Sequence, residues 1–219
     1  MHQIIYPDLK GGHSKNLEKY ILTVCEKHKA ENRAMAFAFI VSDLDDPQIR
    51  KVLRDSDYIQ ALHNISGEFL TIFYLNDNYV EKTISKAKVS NKIRLELGVQ
   101  KIDAPQNFSP KFLAQKLLNR DNLPSPSILF FQVDNNDIID HTFAQIRKDK
   151  IEDSFNEMKA IIKTGIESLK DVKNENRSNS KELFNLLKQN IESSEYWKNA
   201  QNNFDKLIRL KDFLFFWKI

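Results

Sequence analysis

Three carboxylates form the densest group of side chains that could do chemistry in this sequence. Asp43, Asp45 and Asp46 come directly after Met35–Val41, an uncharged apolar run of strand length. Ligands of α/β proteins bind at the carboxyl ends of strands, where carboxylate oxygens can hold Mg²⁺ or Ca²⁺. The simpler interpretation is a solvated loop with Asp46 as a helix cap, because Pro47 follows it. Since no second acidic cluster accompanies this one, we favour the cap and predict no metal site.

The thiol and imidazole groups give no catalytic pattern. Cys25 is the single cysteine, and it falls near the end of a predicted helix, where the helix dipole disfavours a thiolate. We therefore predict a buried, unreactive thiol. The histidines have no metal-ligand spacing, and neither a phosphate-binding glycine loop nor a Gly-x-Ser-x-Gly motif is present. We expect surface or packing roles for all five, which are His2, His13, His28, His63 and His141.

The carboxyl-terminal segment carries the strongest local excess of aromatic residues. Five apolar residues stand in a row, and four of them are aromatic: Phe213, Leu214, Phe215, Phe216 and Trp217. On one helix they would cover all sides, so the segment is either enclosed by its own chain or partly exposed. The first alternative is docking on the rest of the protein. The second is a dimer or partner surface, since aromatic residues concentrate at the centres of interfaces.

The elements that would position these groups alternate in the first half of the chain. Apolar residues at helical spacing predict a helix over Ser14–Lys29, and Met35–Val41 is typical of a central strand covered on both faces. A helix starting at Asp46–Pro47 and extending past Leu62 comes next, and then a strand over Glu68–Leu75. This order of helix, strand, helix and strand predicts parallel pairing through a right-handed crossover.

The second half predicts a helix and then a hairpin. Ser109–Pro110 starts a helix that continues to Arg120, and two strands, Ser127–Val133 and Ile138–Ile146, flank a tight turn at Asp134–Asp137. The alternation at Lys92–Val99 also allows a half-exposed strand. Three further helices are predicted: a long one over Ile151–Leu169, one that contains Leu183, Leu187 and Ile191 after a polar linker, and one from Phe204 to Phe215.

A helix, a proline before a strand, a hairpin and a long helix together resemble the second half of the thioredoxin-like superfamily. The resemblance covers about residues 14–169 and implies an α/β fold whose mixed sheet is flanked by helices. It also implies a cis peptide bond before the proline that faces the active site. Pro126 matches that proline, and Pro124 competes for the role. The family's Cys-x-x-Cys motif would fall at Ser42–Gln48, which contains no thiol.

Two domains and three functions follow as expectations. We expect a thioredoxin-like domain over residues 1–172 and a helical extension over 173–219. A non-catalytic protein-interaction or oligomerisation module is the favoured function. One alternative is a glutathione-transferase-like or other thiol-independent enzyme, although a leading helix and a short helical region argue against that family. The other alternative is a sensor that binds a small ligand or nucleotide near Pro126 and the three aspartates.

The composition limits the classes of binding partner that we expect. The chain has 219 residues, 41% hydrophobic and 29% charged, with a net charge of +3. Basic and acidic residues alternate, so nucleic-acid binding is disfavoured, and a protein partner or a second copy is expected.

No apolar run approaches the roughly 20 residues of a membrane span. No cofactor is predicted. With no signal peptide and one cysteine, we expect a cytoplasmic protein, and the Asn-, Lys- and Ile-rich composition suggests a bacterial one.

Overall fold

The computed structural model describes residues 1–4, 14–43, 46–75, 109–146, 150–170, 172 and 179–195. Within them, five strands form one sheet: β1 (His2–Ile4), β2 (Ala36–Val41), β3 (Leu70–Leu75), β4 (Ser127–Asp134) and β5 (Asp137–Gln145). The helices are α1 (Ser14–Ala30), α2 (Pro47–Arg54), α3 (Ser56–Ser66), α4 (Pro110–Leu118), α5 (Ile151–Lys170) and α6 (Ser180–Ser193). None of these helices is long and apolar enough to cross a membrane.

The sheet is mixed, and its strands lie in the order β1-β3-β2-β4-β5. β1, β3 and β2 are parallel, whereas β4 is antiparallel to β2 and β5 is antiparallel to β4. In the centre of the sheet, Ala38 of β2 is level with Ile72 of β3 and with Phe130 of β4. The predicted α/β class, with a mixed sheet flanked by helices, is therefore confirmed.

Side chains that alternate along the strands build a hydrophobic core on each face of the sheet. Ala36, Ala38 and Ile40 of β2 belong to one core, which α2, α3, α5 and α6 cover. Phe37, Phe39 and Val41 belong to the other, which α1 and α4 cover. Every residue of β2 is buried. The continuous apolar run predicted this central position of β2. In a strand that is covered on both faces, apolar residues do not alternate with polar ones.

The first element of the sheet differs from the prediction, because a strand precedes α1. β1 pairs in parallel with β3, and His2 is level with Phe73. Three residues give no periodic pattern, so this strand is recognisable only through its neighbour. The leading-helix argument against a glutathione-transferase-like protein is therefore wrong.

The single helix predicted after Pro47 is in fact two. α2 ends at Arg54, and Asp55 adopts an extended conformation with φ −85° and ψ 120°. Its Oδ1 accepts hydrogen bonds from the backbone N–H groups of Asp57 and Tyr58, at 2.9 and 3.3 Å. An aspartate that caps a new helix competes with continuation of the old one, which is why the chain breaks here.

The predicted hairpin and the helices after it are present. Asn135 and Asn136 have φ values of 51° and 60°, as a two-residue turn that follows the sheet's twist requires. Beyond α5, helix α6 packs against α5, β4 and β5, and its Phe184 and Leu187 belong to the same core as α5. The domain boundary at residue 172 stays a prediction. The predicted elements at 92–99 and 204–215 lie outside the described residues.

Candidate functional site

The carboxyl end of β2 brings together polar groups from four parts of the chain. Asp43 follows β2, Asp46 precedes α2, and Lys111 lies in the first turn of α4. Ser125 precedes β4, and because Val41 is paired with Ser127 in the antiparallel β2–β4 ladder, the end of β2 meets the start of β4. This edge of the sheet is where α/β proteins place ligands.

Asp46 holds this region together. It is only 2% exposed, and its Oδ2 accepts hydrogen bonds from the backbone N–H of Asp43 at 2.9 Å and from Oγ of Ser125 at 3.3 Å. The predicted capping role is only partly correct. Asp46 occupies the N-cap position of α2, but its side chain makes no capping hydrogen bond, because the carboxylate turns back to the loop and to the strand entry instead.

Asp43 and Lys111 form a half-exposed ion pair beside Asp46. Nζ of Lys111 donates to Oδ2 of Asp43 at 3.2 Å, and the two side chains are 31% and 37% exposed respectively. The backbone N–H of Lys111 also donates to the carbonyl of Ser42 at 3.1 Å. Ser109 caps α4 by accepting from the N–H of Phe112 at 3.1 Å. The start of α4 is thus attached to the loop after β2, with a charged pair facing solvent.

The peptide bond between Ser125 and Pro126 is cis, so Pro126, rather than Pro124, is the cis proline. Pro126 is buried, whereas Ser125 is only half-buried. The carbonyl of Pro126 accepts from the N–H of Ile146 at 2.9 Å. Of this pair, Ser125 is therefore the residue that a ligand could reach.

Sequence reasoning found Asp43, Asp46 and Pro126 but missed Lys111 and Ser125. The sequence signal for Lys111 was its position just after the Ser109–Pro110 helix start. The sequence does not show which other elements the start of this helix contacts. Asp45 lies outside the described residues, as do Phe213–Trp217.

The groups at this edge favour polar contacts over catalysis. Asp46 is engaged and buried, so the accessible groups are the ammonium of Lys111, the carboxylate of Asp43 and the hydroxyl of Ser125. These can exchange hydrogen bonds with a polar ligand or a peptide backbone. Among the described residues, no group of three His, Cys, Asp or Glu side chains is placed to hold a metal ion.

Cys25 does not contribute a reactive group. It lies on the buried face of α1 and is fully buried in the core, as predicted. Burial, and to a smaller extent the charge of Glu26, raises the pKa of its thiol far above the usual range. A thiolate, which is the nucleophilic form, is therefore not populated at neutral pH.

No protein-family model, curated protein or solved structure matches this chain, so the chemistry of the site rests on the residues described above.

Proposed function

We propose that this chain is a thioredoxin-like protein-interaction module that has no thiol chemistry. The fold assignment is supported by α4, the cis proline before β4, the β4–β5 hairpin and the long helix α5, which occur in the order on which the resemblance rests. The observation that carries the functional proposal is the chemistry at the end of β2. Carboxylates occupy the place of the family's thiols, and the one cysteine is buried in the core.

The binding surface in this proposal has two parts. The accessible polar groups of Asp43, Lys111 and Ser125 offer hydrogen bonds at the sheet edge. The aromatic segment Phe213–Trp217 offers apolar area to a second copy or to a protein partner. Burying several hundred Å² of apolar surface contributes roughly 10 kcal/mol before the entropy of association is subtracted. That amount is sufficient to hold a complex.

Sedimentation velocity of the full chain over a wide concentration range tests this proposal. We expect the mass to rise with concentration, and we expect a triple variant, Phe213→Ser, Phe216→Ser and Trp217→Ser, to remain a monomer with unchanged circular dichroism. Lys163→Ser, on the exposed face of α5, is a surface control that should associate normally. A triple variant that unfolds or aggregates would place the segment in the protein's own core and contradict the proposal.

A glutathione-transferase-like enzyme is the second candidate, and β1 favours it. That family begins with a strand, and here β1 precedes α1. Retention on immobilised glutathione, with elution by free glutathione, would support this candidate, and flow-through in the void volume would exclude it.

The small-ligand sensor would use Asp43 and Lys111 instead. For that function, nucleotides should raise the melting temperature of the wild type but not that of Lys111→Gln.

A further inference from the structure

A cavity of about 610 Å³ lies at the opposite edge of the sheet from the candidate site. Its walls come from the ends of α1 and α3 and from the starts of β1 and β3, whereas Asp43 follows the end of β2. Volumes of 300–1,000 Å³ are typical of small-molecule pockets. The cavity is therefore large enough for a metabolite.

Two imidazoles are held in fixed positions in its wall. His28 is 8% exposed, and its Nδ1 shares a hydrogen bond of 2.8 Å with Oγ1 of Thr71. Nε2 of His2 shares one of 2.8 Å with the hydroxyl of Tyr20. The two rings lie 5.9 Å apart and nearly perpendicular, and the ring of His2 also packs against Phe73 with centroids 5.3 Å apart. These contacts set the ring positions before any ligand arrives, which reduces the entropy lost on binding.

Arg33 supplies the cavity with a guanidinium group, which stays positively charged at neutral and mildly acidic pH. It lines the cavity and pairs with Glu31 at 3.3 Å, but both side chains are exposed, at 61% and 41%. An exposed ion pair contributes at most about 1 kcal/mol, so the guanidinium can exchange Glu31 for a ligand. Glu68, His63 and the amino group of Met1 complete the titratable groups of the wall, and Nδ1 of His63 lies 2.6 Å from that amino nitrogen.

The protonation of His28 responds to this environment. Burial first, and then the charges of Arg33, His2 and Lys27, lower its pKa, while Glu31 acts in the opposite direction. With the imidazoles and the amino group of Met1 neutral, the two carboxylates of Glu31 and Glu68 outweigh the single positive charge of Arg33. Each protonated imidazole adds one positive charge. A negative ligand would offset the charges of Arg33 and His2, which add to burial in disfavouring a protonated His28, so anion binding and proton uptake by His28 would favour each other.

We propose that this cavity binds a small molecule that carries an oxyanion, either phosphate or carboxylate, with Arg33 contacting the anion and the imidazoles of His28 and His2 lying beside it. The site is separate from the edge at Asp43 and Lys111. The proposal therefore stands or falls independently of the proposed interaction function.

Titration of the full-length protein with inorganic phosphate or with citrate, followed by the imidazole resonances in NMR spectra, tests this. The titrations are run at constant ionic strength, set with sodium chloride, at pH 5.5 and pH 7.5. We expect either anion to shift the His28 and His2 resonances and to bind several-fold more tightly at pH 5.5. A response to phosphate alone identifies a phosphate site, and a response to citrate alone identifies a carboxylate site.

Two variants separate this site from general charge effects. Arg33→Gln should weaken binding several-fold, and because Arg33 is exposed this change should leave the fold intact. Lys163→Gln removes one positive charge from the exposed face of α5, outside the lining of the cavity, and should bind as the wild type does. The proposal is overturned if neither anion shifts these resonances or if Arg33→Gln binds as tightly as the wild type.

Discussion

Asp46 and Ser125 are 79 positions apart in the chain, yet Oγ of Ser125 donates a hydrogen bond to Oδ2 of Asp46 at 3.3 Å. The contact links the loop after β2 to the entry of β4. It exists because β2 and β4 are antiparallel neighbours, which places Val41 beside Ser127. An aspartate that looks in the sequence like a possible ligand group is therefore already engaged within the protein.

Replacing Asp46 should destabilise the protein. Asp46→Ala removes an acceptor from the N–H of Asp43 and from Ser125, and hydrogen bonds to a charged group contribute roughly 1.5–3 kcal/mol each. We expect the free energy of unfolding in urea to fall by about 3 kcal/mol or more. Asp46→Asn keeps one acceptor and should lose less. Asp57→Ala, at an exposed site in α3, is the control. An unfolding midpoint for Asp46→Ala equal to that of the wild type would show that these bonds contribute little.

Gln132 should be needed to hold α6 on the sheet. It is fully buried, and its Nε2 donates to the carbonyls of Met35 at 2.9 Å and Ser180 at 3.1 Å, while its Oε1 accepts from the N–H of Val133. Gln132→Met keeps the volume but removes all three hydrogen bonds, each of which contributes about 1 kcal/mol. We expect a loss of about 3 kcal/mol in unfolding free energy.

Amide hydrogen exchange locates the effect of that substitution. In Gln132→Met, exchange in α6 should accelerate more than exchange in α1, because the lost bond to Ser180 lies at the start of α6. Gln60→Met, at an exposed position in α3, is the matched control and should be close to neutral. Equal acceleration in α1 and α6 would argue against a specific role for Gln132 at α6.

Stability should fall as the pH drops below about 6.5. Burial first, and then nearby charges, lower the pKa of His28 and of His141 from the ordinary value of 6.5. For His141 the next charge is Arg120, which Asp140 opposes. The unfolded chain then binds more protons than the folded one, so the free energy of unfolding decreases with falling pH. The loss begins near the unfolded pKa of 6.5 and levels off below the folded pKa values.

Urea unfolding at pH 5.5 and pH 7.5, in buffers without phosphate or carboxylate, measures this dependence. The wild type should have a lower midpoint at pH 5.5, and the double variant His28→Gln and His141→Gln should show a smaller difference between the two pH values. If the double variant keeps the full difference, other groups are responsible for the pH dependence.

The thiol of Cys25 should be inert in the native protein. Because Cys25 is buried and the pKa of its thiol is raised, a thiol-specific disulfide reagent should react only when the chain unfolds, and rapidly in denaturant. The protein should not reduce insulin disulfides. Rapid reaction of the native protein, at a rate independent of its unfolding, would show that Cys25 is accessible.

Local signals in the sequence were sufficient for most of the elements. The apolar run of β2, the Asn135–Asn136 turn and the cap at Ser109 each act over a few residues, and each produced the predicted structure. Such signals can be recognised in the sequence because helix caps, strand alternation and tight turns depend on backbone geometry within a few consecutive residues. The α/β class follows from their order.

Contacts between distant residues depended on the tertiary structure. β1 is a strand only because β3 supplies its hydrogen-bond partners, and His2 meets His28 only because β1 and α1 lie side by side. Lys111 reaches Asp43 across 68 positions for a similar reason. The sequence by itself determined most of the helices, strands and turns, but neither β1 nor the break between α2 and α3. Which charged side chains share a site follows from the order of the strands in the sheet. That order depends on the free energy of packing the whole chain, so a local segment of sequence does not reveal it.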